Sequence, residues 1–189
     1  AGVWSGEPGG PTPAALLLPD VEPRVEGMYS DKSLYDRAGG RLFALGVRRK
    51  GTRTPLVARV DLAAALGREV VADGPPPSFS GKVEPVWMTQ VVQGNPLAHR
   101  EAAPELAAFA AGKLVVPYEP TASGADTRLA CFDGETGRRL WDVAIPGSRG
   151  EDVKGLSATK QRVFVSVYCC SLYVHELQTG KHLLTIGKR

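Results

Sequence analysis

The sequence lacks any apolar run near the ~20 residues that a membrane-spanning helix requires, and its longest candidate covers only residues 14–18. It also lacks a polybasic tract, because its 23 basic and 20 acidic residues are interspersed and leave a net charge of +3. Nucleic acid and anionic lipid bind to concentrated positive charge. We therefore expect neither a membrane span in this chain nor a nucleic-acid partner.

Common catalytic and metal-binding motifs are missing as well. There is no GxSxG, no HExxH, no phosphate-binding loop, and no GxGxxG followed by an acidic residue in a βαβ unit. Three cysteines match neither a disulfide framework nor a zinc spacing. His175 and His182 lack a third ligand and are predicted to be surface residues. We predict no catalytic, cofactor-binding or metal-binding residue and no cofactor, which favours a protein without enzymatic activity but leaves that question open.

Glycine and proline are plentiful instead, at 22 and 15 residues, and hydrophobic residues make up 43% of the chain. A chain this apolar can bury a core, and frequent turn-forming residues favour short strands over long helices. Residues 1–27 are rich in both and are predicted to form an extended arm. Residues 75–99 begin with three prolines, which interrupt regular structure, and are predicted to be an insertion.

Strand-like runs of apolar and β-branched residues recur along the rest of the chain, separated by turns. The runs form three sets. The first covers residues 41–47, 56–61 and 68–72, the second 104–111, 113–118, 128–133 and 139–145, and the third 155–159, 162–167, 172–177 and 182–186. Gly137 and Gly180, in the last turn of the second and third sets, are 43 residues apart. That period is typical of a four-stranded propeller blade.

The second set carries a specific pattern in Asp133, Thr136, Gly137 and Trp141, with Cys131 at the small-residue position before them. It resembles the repeat of PQQ-like, or quinoprotein-type, β-propellers, which reads Ala, a gap, Asp, two residues, Thr-Gly, three residues, Trp. Glycine supplies the positive φ of the hairpin turn, and Asp and Thr stabilise that turn with local hydrogen bonds. In the family, the tryptophan packs against the neighbouring blade, which implies a structural role for Trp141.

The pattern weakens in the other two sets. The third set retains Thr179 and Gly180, with Leu184 at the tryptophan position. In the first set Gly67 matches the turn glycine, and Val71 stands at the tryptophan position. The six residues predicted to shape the turns and dock the blades are Asp133, Thr136, Gly137, Trp141, Thr179 and Gly180.

The resemblance implies an all-β fold of propeller blades, each with four antiparallel strands. We predict blades over about residues 28–74, 100–146 and 154–187 within the region 28–189. Propellers close with about 4–8 blades, so three blades indicate a partial or incomplete propeller. The chain could belong to a larger propeller, be completed by another chain, or form an open stack; the first two arrangements are favoured.

The resemblance also suggests functions. Its precedents include scaffold lipoproteins of outer-membrane assembly and subunits of bacterial envelope complexes. A non-catalytic binding or scaffold module, acting as a subunit or domain of an extracytoplasmic assembly, periplasmic or cell-surface, is therefore favoured, with a protein as its partner. The alternative is a fragment of a PQQ-dependent quinoprotein dehydrogenase, which would need a quinone, Ca²⁺ and an aspartate base that cannot be placed here.

Two further groups of residues are candidates for function. Cys169 and Cys170 are adjacent and could form a vicinal disulfide, although two ordinary thiols in a turn would give the same sequence. The loop residues Arg149, Glu151, Asp152 and Lys154 are predicted to lie on the same face and could form a charged binding face. A solvated connection between blades is the alternative for these four residues.

Overall fold

The computed structural model describes residues 16–17, 21–23, 33–36, 38–49, 55–61, 81–82, 84–92, 106–120, 125–149, 152–168 and 171–187 of the 189-residue chain. Within these ranges every regular element is a β-strand. The strands form three antiparallel sheets, which we call blades 1, 2 and 3, and one short parallel ladder. The predicted all-β propeller fold is thus confirmed.

Blades 2 and 3 are four-stranded sheets whose strands follow one another in chain order. Blade 2 contains β8 (Ala108–Ala110), β9 (Lys113–Tyr118), β10 (Arg128–Asp133) and β11 (Arg139–Ala144). Blade 3 contains β12 (Val153–Ala158), β13 (Arg162–Val167), β14 (Ser171–Glu176) and β15 (His182–Ile186). These bounds lie within a few residues of the predicted strands, because alternating apolar runs between turn residues encode them locally.

Blade 1 is less regular. It contains β2 (Val21–Pro23), β3 (Ser33–Asp36), β4 (Arg41–Arg49), β5 (Pro55–Asp61) and β7 (Trp87–Gln90). β2 and β3 pair with successive parts of one edge of β4, while β5 pairs with its other edge. β1 (Leu16–Leu17) and β6 (Gly81–Lys82) form the separate parallel ladder.

The described structure differs from the predicted boundaries in two places. β2 lies within residues 1–27, predicted as an extended arm, and β7 lies within residues 75–99, predicted as an insertion between blades. β7 pairs with β5 over Leu56–Arg59 and so occupies the position predicted for residues 68–72, which lie outside the described residues. The long connection 62–86 therefore joins the last two strands of blade 1. Consecutive prolines mark a break in the chain but do not show which strand resumes after it.

The blades pack face to face through two apolar cores. Period-two alternation sends neighbouring side chains of blade 2 to opposite faces: Val116 points to blade 1 and Val115 to blade 3. The core between blades 1 and 2 contains Phe43, Leu45, Val57, Val91, Val92, Leu114, Val116, Tyr118, Ala130 and Phe132. The core between blades 2 and 3 contains Val115, Leu129, Cys131, Trp141, Ile145, Val163, Val165, Val167, Tyr173 and Leu177.

The first strands of the blades approach one another at one side of this stack. β8 of blade 2 contacts both β12 of blade 3 and β3 of blade 1. The outermost strands β7, β11 and β15 lie at the opposite side, at the end of each sheet. This is the radial arrangement of propeller blades, and the chain forms one part of such a ring.

Candidate functional site

The hairpin turn between β10 and β11 is held by hydrogen bonds to Asp133. Its Oδ1 accepts from the backbone amides of Glu135 (3.0 Å) and Thr136 (2.9 Å) and from the Thr136 hydroxyl (3.0 Å). These bonds favour the ionised carboxylate and, led by the Thr136 amide, lower the pKa of Asp133. Gly137 closes the turn with a φ of 70° and donates its amide to the Asp133 carbonyl at 2.9 Å.

This turn of blade 2 lies against Trp87 of blade 1. A Cβ added to Gly137 would come within 2.6 Å of the Trp87 ring, so the indole fits only over glycine. The indole Nε1 donates to the carbonyl of Gly134 at 3.1 Å. Trp87 thus contacts the turn in two ways, by ring packing and by a hydrogen bond.

The turn between β14 and β15 meets blade 2 in the same way. Gly180 has a φ of 75°, and a Cβ added there would come within 2.8 Å of the Trp141 ring. Trp141 Nε1 donates to the carbonyl of Leu177 at 2.9 Å. Leu177 and Gly180 follow Gly134 and Gly137 by the same 43 residues, so the two contacts are repeat equivalents.

Trp87 is the functional residue that the sequence pattern missed. The pattern placed Val71, which lies outside the described residues, at the tryptophan position of the first set. The connection 62–86 displaces the true outer strand, and a search with fixed spacing cannot follow a hairpin of that length. One signal was available: Trp87 opens a strand-like run, and in the second set the same residue type already marked the outer strand.

Ion pairs surround the contact between blades 1 and 2. Arg41 and Arg59 of blade 1 both pair with Glu135 in the turn of blade 2. Arg59 is only 8% exposed and also donates to the carbonyls of Gly134 and Glu135, each at 3.3 Å. Arg139 of β11 reaches back to the carbonyls of Gln90, at 3.0 Å, and Val91.

A buried histidine lies beside the contact between blades 2 and 3. His175 is 0% exposed, so its predicted surface position is wrong; the register pairs it with Val163 on the face toward blade 2. Its Nδ1 lies 2.9 Å from the Gly180 carbonyl, which can only accept, so Nδ1 carries the proton. Nε2 finds no hydrogen-bond partner among the described residues. Burial lowers the pKa of His175 and is the largest effect. The hydrogen bond to the Gly180 carbonyl raises this pKa, and nearby His182 lowers it further.

Blade 3 presents an apolar sheet face on the side away from blade 2, which we call the open face. Leu184 and Ile186 are 46% and 53% exposed there, and Phe164 and Leu172 are half-buried. Its residues are Phe164, Leu172, Val174, Leu184 and Ile186, of which Val174, in the central strand β14, is buried at 3% exposure. The neighbouring Leu183 is also exposed, so three of the five large exposed apolar side chains among the described residues lie in β15.

Arg149, Asp152 and Lys154 are the described residues of the predicted binding face; the first two lie in the connection between β11 and β12, and Lys154 lies in β12 itself. Asp126 accepts from the amides of Gly147 (3.0 Å) and Arg149 (2.9 Å), which ties two loops together. Lys154 pairs with Asp152 at 2.7 Å and lies 5.6 Å from the ring centre of exposed Tyr168. This lysine lowers the pKa of Asp152.

Three of the predicted site residues, Glu151, Cys169 and Cys170, lie outside the described residues, so the vicinal disulfide and that part of the binding face stay predictions. Cys131 is a free, fully buried thiol in the core between blades 2 and 3. Burial raises its pKa to about 12, which keeps the thiol protonated and unreactive.

Two observations concern only the part of the chain that the structure describes. It contains no cluster of three or more His, Cys, Asp or Glu side chains placed to hold a metal ion. None of its elements is a helix with the length and hydropathy needed to cross a bilayer.

Comparisons with known proteins support the fold alone. No protein-family model matches the sequence, and no curated protein matches it. Among solved structures, BamB from Moraxella catarrhalis is similar at a TM-score of 0.50 and 13% identity over 80% of this chain. A europium-containing methanol dehydrogenase is similar at a TM-score of 0.51 and 18% identity over 82% of this chain. The RRP9 WD40 repeats are similar at a TM-score of 0.51 and 11% identity over 93% of this chain.

These neighbours are β-propeller proteins, some of them enzymes and some not. The chain spans only 35% of BamB, 24% of the methanol dehydrogenase and 43% of the RRP9 repeats. Three blades therefore correspond to a minor part of each neighbouring chain. The shared feature is the blade architecture, and the described blades are part of an incomplete propeller.

Proposed function

We propose that this chain is a non-catalytic β-propeller module that binds protein, as a subunit or domain of an extracytoplasmic assembly, periplasmic or cell-surface. The observation that carries the proposal is the open face of blade 3. The equivalent faces of blades 1 and 2 are packed against the next blade, whereas Leu184 and Ile186 are about half exposed. Contiguous exposed apolar side chains on a folded domain are typical of interaction sites.

The proposal includes roles for the turn residues. Asp133, Thr136 and Gly137, and likewise Thr179 and Gly180, shape hairpin turns that dock on Trp87 and Trp141. These turns make the stack rigid, so that the open face and the charged loops are held in a fixed geometry. The turn chemistry and the tryptophan together support membership of the PQQ-like repeat family, from which the extracytoplasmic location is inferred.

Site-specific photo-crosslinking in the native host tests whether the open face binds a protein. A photoreactive phenylalanine analogue at Leu184 should yield a discrete cross-linked protein. The matched control is Val86, which is 51% exposed but immediately precedes β7 of blade 1. Equal cross-linking at both positions would contradict the proposal, as would recovery of the protein in the cytosolic fraction.

Quinone binding tests the competing function of a quinoprotein dehydrogenase fragment. Purified protein is titrated with PQQ and Ca²⁺ while its ultraviolet–visible spectrum and dye-linked alcohol oxidation are followed. The proposal predicts no bound-quinone band and no oxidation. A stoichiometric quinone complex with turnover would replace the scaffold function with an enzymatic one.

A further inference from the structure

We propose that His175, with His182 beside it, is an acid-sensitive switch that releases the β14–β15 hairpin from Trp141 at mildly acidic pH. The switch concerns the contact between blades 2 and 3 and holds whatever partner the chain binds, so it goes beyond the proposed function. It follows from a comparison of two hairpins that are repeat equivalents. One of them carries a permanent charge, and the other carries side chains whose charge depends on pH.

The last hairpins of blades 2 and 3 have the same backbone construction. Gly137 and Gly180 each donate their amide to the carbonyl four residues earlier, at 2.9 Å. Each of these glycines also lies against the tryptophan of the preceding blade. A difference in behaviour between the two hairpins must therefore come from their side chains.

One pair of side chains differs in its chemistry. In blade 2, Phe132 and Arg139 are register partners, and the Arg139 guanidinium lies 5.0 Å from the centre of the Phe132 ring. The positions 43 residues later hold His175 and His182, which are register partners with ring centres 5.3 Å apart. A benzene ring under a permanent cation is thus replaced in blade 3 by two imidazoles, which titrate near neutral pH.

The site of His175 suits only the neutral ring. Its Nδ1 donates to the Gly180 carbonyl at 2.9 Å, and its Nε2 has no hydrogen-bond partner among the described residues. A proton on Nε2 would create a buried charge whose donor lacks an acceptor, which is unfavourable in an apolar core. Protonation therefore favours an open state in which the imidazole reaches water.

The groups packed around His175 do not compensate a positive charge there. From the facing strands β13 and β11 it meets the apolar side chains of Val163, Trp141 and Val143. The titratable and charged side chains of its own hairpin and of the core it faces are Tyr173, Glu176, Lys181, His182 and Cys131. Burial lowers the pKa of His175 most, and of these side chains only His182 acts on that pKa, lowering it further.

The hydrogen bond from His175 connects the switch to the docking contact. Its acceptor is the carbonyl of Gly180, the residue that lies against the Trp141 ring. When the imidazole leaves the core, the turn loses this bond, and the hairpin can separate from Trp141. Because β15 also carries Leu184 and Ile186, the surface on which the proposed function rests changes with it.

Hydrogen exchange of the unmodified chain at pH 7 and pH 5.5 tests the switch. Protection factors, which divide out the pH dependence of the chemical exchange step, should fall in residues 171–186. The fall should be several-fold and at most about eightfold, the limit in which the folded imidazole stays neutral. At pH 5.5 this exchange should depend only weakly on low concentrations of urea, because opening one hairpin exposes less surface than unfolding the whole chain.

The matched variant carries His175→Phe and His182→Arg, which is the pair that blade 2 already uses. Its protection factors in residues 171–186 should be the same at both pH values. His175→Asn alone removes the switch in a second, independent way and should also abolish the response. His99→Gln replaces the remaining histidine of the chain and should leave the response of the parent protein unchanged.

Three results would overturn the inference. A full response in the double variant would assign the loss of protection to other groups. Equal losses in blades 2 and 3 with the same urea dependence would show that acid lowers the global stability without opening a hairpin. Nitrogen-15 NMR of the imidazoles would also contradict it by finding His175 charged at pH 7 or protonated on Nε2 alone. None of these measurements needs a partner, so the switch and the proposed function fail separately.

Discussion

The interface between blades 1 and 2 and the interface between blades 2 and 3 share one contact, an indole ring over a left-handed glycine. They differ in what surrounds it. Arg41 and Arg59 pair with Glu135 at the first interface, whereas His175 is buried beside the turn at the second. The docking contact is therefore constant while its electrostatic setting varies. The first interface should respond to salt and the second to pH.

Replacing each of the two tryptophans tests the contact that both interfaces share. We expect these substitutions to have the largest effect on the free energy of unfolding. Trp141→Ala should lower the free energy of unfolding by about 3–5 kcal/mol, because it leaves a large cavity in a buried core. Trp87→Ala should cost less, since Trp87 is only partly buried at its edge of the core. Urea unfolding followed by far-ultraviolet circular dichroism measures both.

A conservative change separates the ring from its donor. Trp141→Phe keeps an aromatic ring over Gly180 and removes the hydrogen bond to the Leu177 carbonyl. Because the ring still fills much of the cavity, Trp141→Phe should cost less than Trp141→Ala by about 1 kcal/mol or more. Equal losses for Trp87→Ala and Trp141→Ala would show that the exposed edge of Trp87 is closed by other parts of the chain.

Substitution of a turn glycine tests how closely the turn fits against its indole. We expect the next largest loss in the free energy of unfolding from this change. Gly180→Ala should cost about 2–4 kcal/mol, because positive φ disfavours a Cβ and because that Cβ would clash with Trp141. Gly147→Ala is the matched control, since its φ is 74° but nothing lies within 4 Å of an added Cβ. It should cost about 1–2 kcal/mol. Thermal unfolding measures both losses. Equal losses would mean that backbone strain alone, and not contact with the indole, requires glycine at position 180.

The same comparison shows how far the sequence predicts the structure. Asp133, Gly137 and Trp141 lie within nine residues, so their hairpin can be identified from local spacing, and the strands of blades 2 and 3 follow from alternating apolar residues. Trp87 could not be found in this way, because a 25-residue connection separates β5 from β7. Whether His175 is buried depends on which face of β14 meets blade 2, and that face cannot be predicted from a single sequence.

Acidification should weaken the second interface specifically. Burial lowers the pKa of His175 from its ordinary value of 6.5, so the unfolded chain takes up the proton first as the pH falls. The stability contributed by neutral His175 is complete above pH ~6.5 and is lost progressively below it. Between pH 7 and 5.5 the loss can reach at most about 1 kcal/mol, the limit in which the folded imidazole stays neutral throughout. Urea unfolding at a series of pH values measures this loss.

His175→Asn should flatten that dependence while keeping a donor toward the Gly180 carbonyl. His182→Asn removes the neighbouring ring and should retain most of the pH dependence. An unchanged pH dependence in His175→Asn would assign the loss to other groups, and the buried imidazole would then not distinguish the two interfaces.

Neutralising Glu135 should weaken the first interface by the smallest amount. Glu135→Gln removes the carboxylate that pairs with Arg41 and Arg59 but leaves the turn backbone and its carbonyl acceptors in place, and Arg41 keeps its ion pair with Asp36 at 2.8 Å. Because Glu135 is largely exposed, the expected cost is about 0.5–1 kcal/mol at low salt. At 1 M salt, where the Debye length is about 3 Å, the difference from the parent protein should shrink.

The salt dependence of the stability loss thus distinguishes the two interfaces more sharply than the size of the loss does. Lys154→Gln breaks an exposed ion pair outside both cores and should change stability at neither salt concentration. His175→Asn should show the same deficit at low and high salt, because its site is shielded from ions. If Glu135→Gln also kept a constant deficit, Arg59 would be held by the turn carbonyls of Gly134 and Glu135 rather than by the carboxylate. The charges around Trp87 would then serve to position the turn, as His175 does at the other interface.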